Sequence, residues 1–522
     1  MITEIEIKLL PDQKDDEFIW REKIAKALKI SSGKISGVKI LRQSLDARSR
    51  TPFYQTLFSV YTFPDTVPEQ SFEPVAGAPR LARPIVTGTG PAGLFAAITL
   101  VENGYSPIIL EQGKKVDERK KDIVLLQRDG VLNPLSNYCF GEGGAGCFSD
   151  GKLYTRSNKR GSIEKVLQTF IYFGASPSIL YEAHPHIGSD KLPAIITAMR
   201  KWLESKGCEF YFDSRVVDFV IRDERCVSVV TASGQQFDCD NIILATGHSS
   251  NNIYNWFYEH GYALEAKPFA LGVRVEHPQE LINRLQYGSN DNLPPAEYKF
   301  AEQVGQRGVF SFCMCPGGVL VPSMTEQETL VLNGMSASAR SSRWANSGMV
   351  VTVSPADYYE GKVIDGLVFR SELEKKFFMA ATPSVTTSSA TTPAAFRSPA
   401  QRITDFLQND KSKNLPRSSY SLGLYESNLN TLLPSFVSKA LQQAFKQIDK
   451  KRKGFITSDA IITGLESRTS SPVRIMRNSD TFSHPNIVNL YPCGEGAGYA
   501  GGITSSAMDG INSAMYLIKN SK

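Results

Sequence analysis

Residues 84–111 read PIVTGTGPAGLFAAITLVENGYSPIILE. Residues 84–87 are short and apolar, the pattern of a buried strand. Gly88, Gly90 and Gly93 then make G-x-G-x-x-G at a strand-to-helix turn, with Pro91 and Ala92 inside it. The first glycine serves the sharp bend, the second the close approach of a pyrophosphate, the third the packing of helix on strand. An apolar helix over 92–102 follows, and its first turn offers free N–H groups and a positive dipole end to phosphate. A second strand at 107–110 ends on Glu111, 23 residues after Gly88. That is near the spacing of about 20 expected of an acid that binds ribose hydroxyls. Strand, turn, helix, strand and acid together predict a dinucleotide site. Gln112 and Arg119, in EQGKKVDER, are read as further contacts, the arginine to the pyrophosphate.

Two further segments select FAD. IILATG at 242–247 follows the runs EFYFD, VVDFVIR and CVSVVTAS, read as a β-meander, and brings Ala245, Thr246 and Gly247 to the cofactor. Residues 490–511 read LYPCGEGAGYAGGITSSAMDGI. A strand there ends at Cys493. Gly494 and Glu495 follow, the acid placed for the ribityl chain, and Gly498, Gly501 and Gly502 lead into a helix from Ile503 whose N-terminus faces the cofactor. A simple nicotinamide dehydrogenase has no need of this returning segment. A separate block has five glycines in the twelve residues from Gly141 to Lys152. Its Gly143, Gly144, Gly146, Ser149, Asp150, Gly151 and Lys152 are assigned beside the isoalloxazine, where glycines let backbone N–H groups approach a planar ring. Lys152 is a candidate to stabilise the anionic reduced ring. His248, directly after ATG, is a candidate acid.

Several longer blocks are FGEGGAGCFSDGKLYTR at 140–156, FSFCMCPGG at 310–318, NGMSASARSSRWANSG at 333–348 and GLESRTSSPVRI at 464–475. With CGEGAGYAGGI at 493–503 they make the chain resemble the bacterial FAD-dependent dehydrogenases, also called NAD(FAD)-utilising dehydrogenases. These are flavoproteins of the glutathione-reductase type with undefined substrates. Cys147 stands where that family has threonine. The resemblance implies an FAD oxidoreductase that exchanges hydride with a small-molecule substrate, with NAD(P)H as its reductant. The residues themselves hold one full fingerprint and do not demand a nicotinamide.

The fold class expected is α/β. Residues 84–265 and 481–522 make a Rossmann-type FAD-binding domain with its β-meander, and 266–480 an inserted α+β substrate or cap domain. Residues 1–83, with strand-like alternation at Ile5, Ile7 and Leu9 and one helix, make a small α+β domain of ferredoxin-like order. That unit has nine Lys or Arg against two acids between residues 21 and 50. A solvated face is the plain reading. The alternative is an FAD-dependent RNA-modifying or macromolecule-binding protein docking through this face. The Ser/Thr/Ala/Pro-rich stretch 380–399 reads as a surface loop.

Composition sets the remaining bounds. A net charge of +5 over 522 residues does not argue for nucleic acid. No run is long enough to span a bilayer, and the acidic N-terminus is no signal peptide, so the cytoplasm is the expected compartment. Eight cysteines without a C-x-x-C are neither a disulfide framework nor a metal site. Cys313 and Cys315, one residue apart, would point the same way on a regular strand. Arg274, Arg340, Arg343, Arg468, Arg474 and Arg477 would make an anion-friendly cavity if they converged.

Overall fold

The computed structural model describes residues 2–48, 51–68, 72–155, 161–288, 293–381 and 396–521. It is a mixed α/β protein built on three main sheets.

The first sheet holds β1 (Ile2–Leu9), β2 (Ile35–Asp46) and β3 (Phe53–Thr62), antiparallel in the order β1-β3-β2, with α1 (Glu17–Leu28) packed on it. Asp16 caps α1 by accepting from the amides of Phe18 and Ile19. Of the basic residues here, Arg21 pairs with Glu17, Arg42 with Glu6 and Arg48 with Asp46. The edge of β2 is bonded to the rest of the protein. The Gln43 amide donates to the Tyr181 carbonyl at 2.7 Å, and the Ala183 amide to the Gln43 carbonyl at 2.9 Å.

The second sheet contains the fingerprint. β4 (Ile85–Thr87) leads into α2 (Pro91–Glu102), and β5 (Ile108–Leu110) lies beside β4. β6 (Glu209–Tyr211) pairs in parallel on the far side of β5. EFYFD therefore completes the parallel sheet and is not part of the meander, a correction to the sequence reading. Its three-residue run gives no periodicity by which to tell an edge strand from a hairpin strand. The meander is β7 (Val216–Arg222), β8 (Arg225–Thr231) and β9 (Gln236–Asp238). β10 (Ile242–Leu244) pairs in parallel with β4 on one side and with the strand Leu490–Pro492 on the other. Chain from the far C-terminus thus completes the sheet that carries the fingerprint.

Helix α2 is apolar on every side and buried from Ala92 to Val101. Such a helix needs cover on both faces. The sheet supplies one and the C-terminal helix Ile503–Asn520 the other, so close that a Cβ on Gly510 would lie 2.1 Å from the Ala92 carbonyl oxygen. Leu94, Phe95, Ile98 and Leu100, each 1% exposed or less, contribute about 1.5–3 kcal/mol apiece by leaving water.

The third sheet has seven strands, with Phe269–Pro278 flanked by Trp344–Val353 and Ile461–Glu466. Ser398–Arg402 lies beside Ile461–Glu466, so Ser398 and Pro399 belong to a buried strand and not to the expected loop. Residues 382–395 of that stretch lie outside the described residues. Among the described residues no helix is long and apolar enough to cross a membrane.

Candidate functional site

A cavity of about 450 Å³ lies between the fingerprint sheet and the seven-stranded sheet. That is the size range of small-molecule sites. Gly88, Gly90, Pro91 and Ala92 line it from the β4–α2 turn, and Glu111 and Gln112 from the end of β5. Gly144, Gly146, Ser149, Asp150, Gly151 and Lys152 line it from the glycine-rich loop. Ala245, Thr246, Gly247 and His248 follow β10, while Glu495, Gly501, Gly502 and Ile503 come from the returning segment. Five segments, up to 415 residues apart (Gly88 to Ile503), meet here, and the Thr504 hydroxyl ties the returning segment to the glycine-rich loop by donating to the Leu153 carbonyl at 2.7 Å.

Five expected contacts do not line the cavity. Arg119 is fully buried and donates to the carbonyls of Asn137, Tyr138, Gly141 and Glu142 at 2.7–3.1 Å. It clamps the start of the glycine-rich loop and is not a pyrophosphate ligand. Its place on a helix eight residues beyond Glu111 does not reveal which way the side chain turns. Gly93 packs α2 against its own turn: a Cβ would lie 1.9 Å from the Gly88 carbonyl oxygen. Gly143 packs on Cys147, Gly494 on Ala92 and Gly498 on Arg474.

Glu111 lines the cavity, yet its carboxylate is already engaged. Oε2 accepts from the Thr89 amide at 2.9 Å and the Thr89 hydroxyl at 2.6 Å; Oε1 accepts from the amides of Gly113 at 2.9 Å and Gly141 at 3.0 Å. A carboxylate has about four acceptor sites, and four donors fill them. The residue ties together three loops of the cavity wall, and Gln112 is left as the neighbouring polar side chain. Glu111→Gln turns an amide NH2 toward two buried donors. We expect it to cost about 2–3 kcal/mol of stability, read from urea unfolding. A loss below about 0.5 kcal/mol would show that the four bonds are not what orders these loops.

Two glycines of the described cavity wall lack any structural reason to be glycine. Gly90 has φ −70°, and a Cβ there would meet only the Gly144 Cα, at 3.8 Å. Gly501 has nothing within 4 Å of a Cβ. Both face the cavity. The side chains they lack would occupy cavity space, which is the property of a cradle for a bound group.

Electrostatics divide the cavity into two parts. One contains His248, whose Nδ1 is 3.1 Å from the Ser249 hydroxyl and whose Nε2 is 3.7 Å from Glu495. Burial, aided by Arg370 and Arg468, pushes the imidazole down to about 3, so it is neutral at pH 7. Burial pushes the Glu495 carboxyl up, against the Gly502 amide and Lys267. A neutral imidazole beside such a carboxyl can hold or pass one proton at the cavity wall. The other part contains Asp150, Lys152, His184, Glu297, Lys299 and Arg340.

Of the six arginines, Arg340 and Arg468 line the cavity. The others are used elsewhere: Arg274 pairs with Glu466, Arg474 with Glu265 and Arg477 with Asp509. The Arg343 carbonyl accepts from the Gln279 amide at 2.8 Å, and its side chain does not reach the cavity. Cys313 and Cys315 both line the cavity, but the strand is broken between them. Its register shifts between Phe312 and Cys315, and Cys313 has φ +43°. The i, i+2 rule for a regular strand therefore fails here. Cys313 is exposed to the cavity, and the protein enclosing that cavity pushes its thiol up, against the pull of Arg274 and Lys152. Sequence reasoning missed Tyr154, His184, Glu297 and Lys299 as lining residues. Tyr154 lies within the block 140–156, and the four meet only through the packing of two sheets. Among the described residues no group of three or more His, Cys, Asp or Glu is placed to hold a metal.

Comparison with known proteins adds three findings. Residues 268–469 match the family described as "FAD-dependent protein, C-terminal domain-like", and residues 1–61 match a domain of unknown function. A protein of Clostridium beijerinckii, described as an uncharacterized protein, is 40% identical over 529 residues, covering 97% of this chain and 96% of the relative. Among solved structures, a flavocytochrome c3 fumarate reductase in its open conformation aligns at TM-score 0.36 and 14% identity, covering 84% of this chain and 78% of that one. A glycine oxidase from Bacillus cereus aligns at TM-score 0.31 and 13% identity, covering 84% and 96%. These structural likenesses are distant.

Proposed function

Because the chain belongs to the family of the Clostridium beijerinckii relative and carries the FAD-dependent protein C-terminal domain, we propose that it is an FAD-dependent oxidoreductase acting on a small-molecule substrate. The observation that supports this most is Gly90 at the N-terminus of α2, a glycine that neither backbone conformation nor packing requires, facing the cavity. The turn from Gly88 to Ala92 would hold the pyrophosphate against the first amides of α2. Gln112, Ala245, Thr246 and Gly247 would hold the adenosine side. Glu495 and the first turn of the helix Ile503–Asn520 would hold the ribityl and ring side, with the loop Gly144–Lys152 across from them. When bound, FAD supplies hydride acceptance and donation.

The chain's own residues do the rest. The two sheets partly enclose the space between them. The His248–Glu495 pair holds a proton beside the cavity. Lys152 brings an ammonium into it, 3.9 Å from Asp150, a charge suited to an electron-rich reduced ring. NAD(P)H is the proposed reductant. Flavin absorption of the purified protein, before and after FAD is supplied, tests the reading. A protein that stays colourless sinks it. Anaerobic NADH and NADPH that both fail to bleach a bound flavin would remove the nicotinamide alone.

A further inference from the structure

The end of the cavity around Asp150 and Arg340 has more positive charge than the protein itself uses. Arg340 has a non-glycine left-handed backbone, φ +48°, and its carbonyl is packed where a Cβ on Gly317 would lie 1.7 Å away. Strain of this kind persists only where the surroundings fix it. It turns the guanidinium to the cavity, where Nη2 donates to Asp150 Oδ2 at 2.8 Å. Nε is buried with no partner among the described residues. Asp150, 4% exposed, also has an unpartnered oxygen, Oδ1.

Lys152 shares the same carboxylate from 3.9 Å, beyond hydrogen-bond reach. Its backbone is fixed by the Leu153 amide on the Pro185 carbonyl at 2.9 Å and the Ile187 amide on the Gly151 carbonyl at 3.1 Å. One aspartate therefore faces two cations. The outer members of this end balance each other no better. Glu297 pairs with His184, and the Lys299 ammonium lies 5.3 Å over the Tyr154 ring. Three fixed cations, Lys152, Lys299 and Arg340, stand against two carboxylates, Asp150 and Glu297, before His184 is counted. Tyr298 and Phe312 supply flat apolar wall between them.

We propose that this end of the cavity binds the carboxylate of a small organic acid, the substrate of the oxidoreductase, against Arg340 and Lys152. As a substrate site it rests on the flavin reading above; as an anion site it does not. A guanidinium at the cavity wall suits a planar carboxylate, and a partly enclosed site with surplus positive charge draws in one negative charge. The aromatic wall suits a carboxylate on an organic body better than a bare inorganic ion.

Benzoate is the probe and benzamide its uncharged counterpart, each titrated by calorimetry into the protein as purified and into the FAD-loaded protein. Benzoate is expected to bind at least tenfold more tightly than benzamide. Arg340→Met should weaken benzoate at least tenfold, and Asp150→Asn, which raises the surplus charge, should tighten it severalfold. The opposite signs keep the test decisive if one variant fails to fold. Equal binding of the two probes, or no binding of benzoate, overturns the proposal. So does a shift of flavin potential in Arg340→Met with unchanged benzoate affinity, which would assign the cations to the ring. A colourless protein that binds benzoate as described removes the flavin reading and leaves the anion site. A yellow protein that does not distinguish the probes does the reverse.

Discussion

Gly90→Val is expected to give a folded protein that no longer retains FAD. The Cβ position at Gly90 touches nothing but the Gly144 Cα, at 3.8 Å, and φ −70° with ψ 179° is a backbone that valine adopts readily. The two added methyl groups therefore project into the cavity rather than into the protein. We expect apo stability within about 1 kcal/mol of wild type, the modest loss coming from valine at a helix N-cap. Affinity for FAD should fall at least about a hundredfold, or about 2.7 kcal/mol. Gly93→Val is the contrast. Its Cβ would lie 1.9 Å from the Gly88 carbonyl oxygen and 3.3 Å from a Val86 methyl, so the turn itself must break. That variant should fail to fold. FAD stoichiometry by absorbance and melting of the apo protein separate the two outcomes. Full FAD content in Gly90→Val would mean that the pyrophosphate lies elsewhere, whatever the fingerprint suggests.

The contrast also marks how far the sequence could be read. The strand, turn and helix from Ile85 to Glu102 were legible because local physics sets them: an apolar run, glycines at a bend and a helix that is apolar apart from Thr99 and Glu102. The returning strand Leu490–Pro492 was legible because Gly494 and Glu495 follow it as a turn. The direction of the Arg119 side chain and the partners of the Glu111 carboxylate were not legible, for one shared reason. Each was placed correctly along the chain, but side-chain direction depends on loops that arrive later. Arg119 turned toward residues 137–142, and Glu111 filled its acceptor sites with Thr89, Gly113 and Gly141. Cys313 shows the limit for strands, since one bulge cancels a two-residue periodicity. The pairing of Arg340 with Asp150 spans 190 residues and has no local signature at all.

Glu374→Ala is expected to be strongly destabilising, although Glu374 lies behind the cavity wall and touches it only through Arg468. Glu374 lies on the helix Asp365–Ala381 between two arginines. Its Oε1 accepts from Ser467 Oγ at 2.6 Å and Arg468 Nε at 3.1 Å, its Oε2 from Arg468 Nη2 at 2.8 Å, and Arg370 Nε stands 3.8 Å away. All three side chains are at most 4% exposed. Removing the one carboxylate strands two buried guanidinium groups, a loss of about 3–5 kcal/mol. Arg370 already has an unpartnered buried Nη1, so no spare acceptor waits to replace it. The damage reaches the cavity directly, because Arg468 lines it and donates to Thr325 and Ser249, the residue beside His248. A pH dependence gives an independent check. Burial pushes the Glu374 carboxyl up, but Arg468 and Arg370 pull harder and leave it below the ordinary 4.5. A carboxyl lowered on folding stabilises the protein above its unfolded pKa and loses that contribution as pH falls through the folded value. The stability gap between wild type and Glu374→Gln should therefore be widest near neutrality and narrower at about pH 3.5. Urea unfolding at the two pH values measures it. A gap below about 1 kcal/mol for Glu374→Ala at neutral pH would mean that water or a rearranged side chain reaches these arginines, and that this wall of the cavity is not dry.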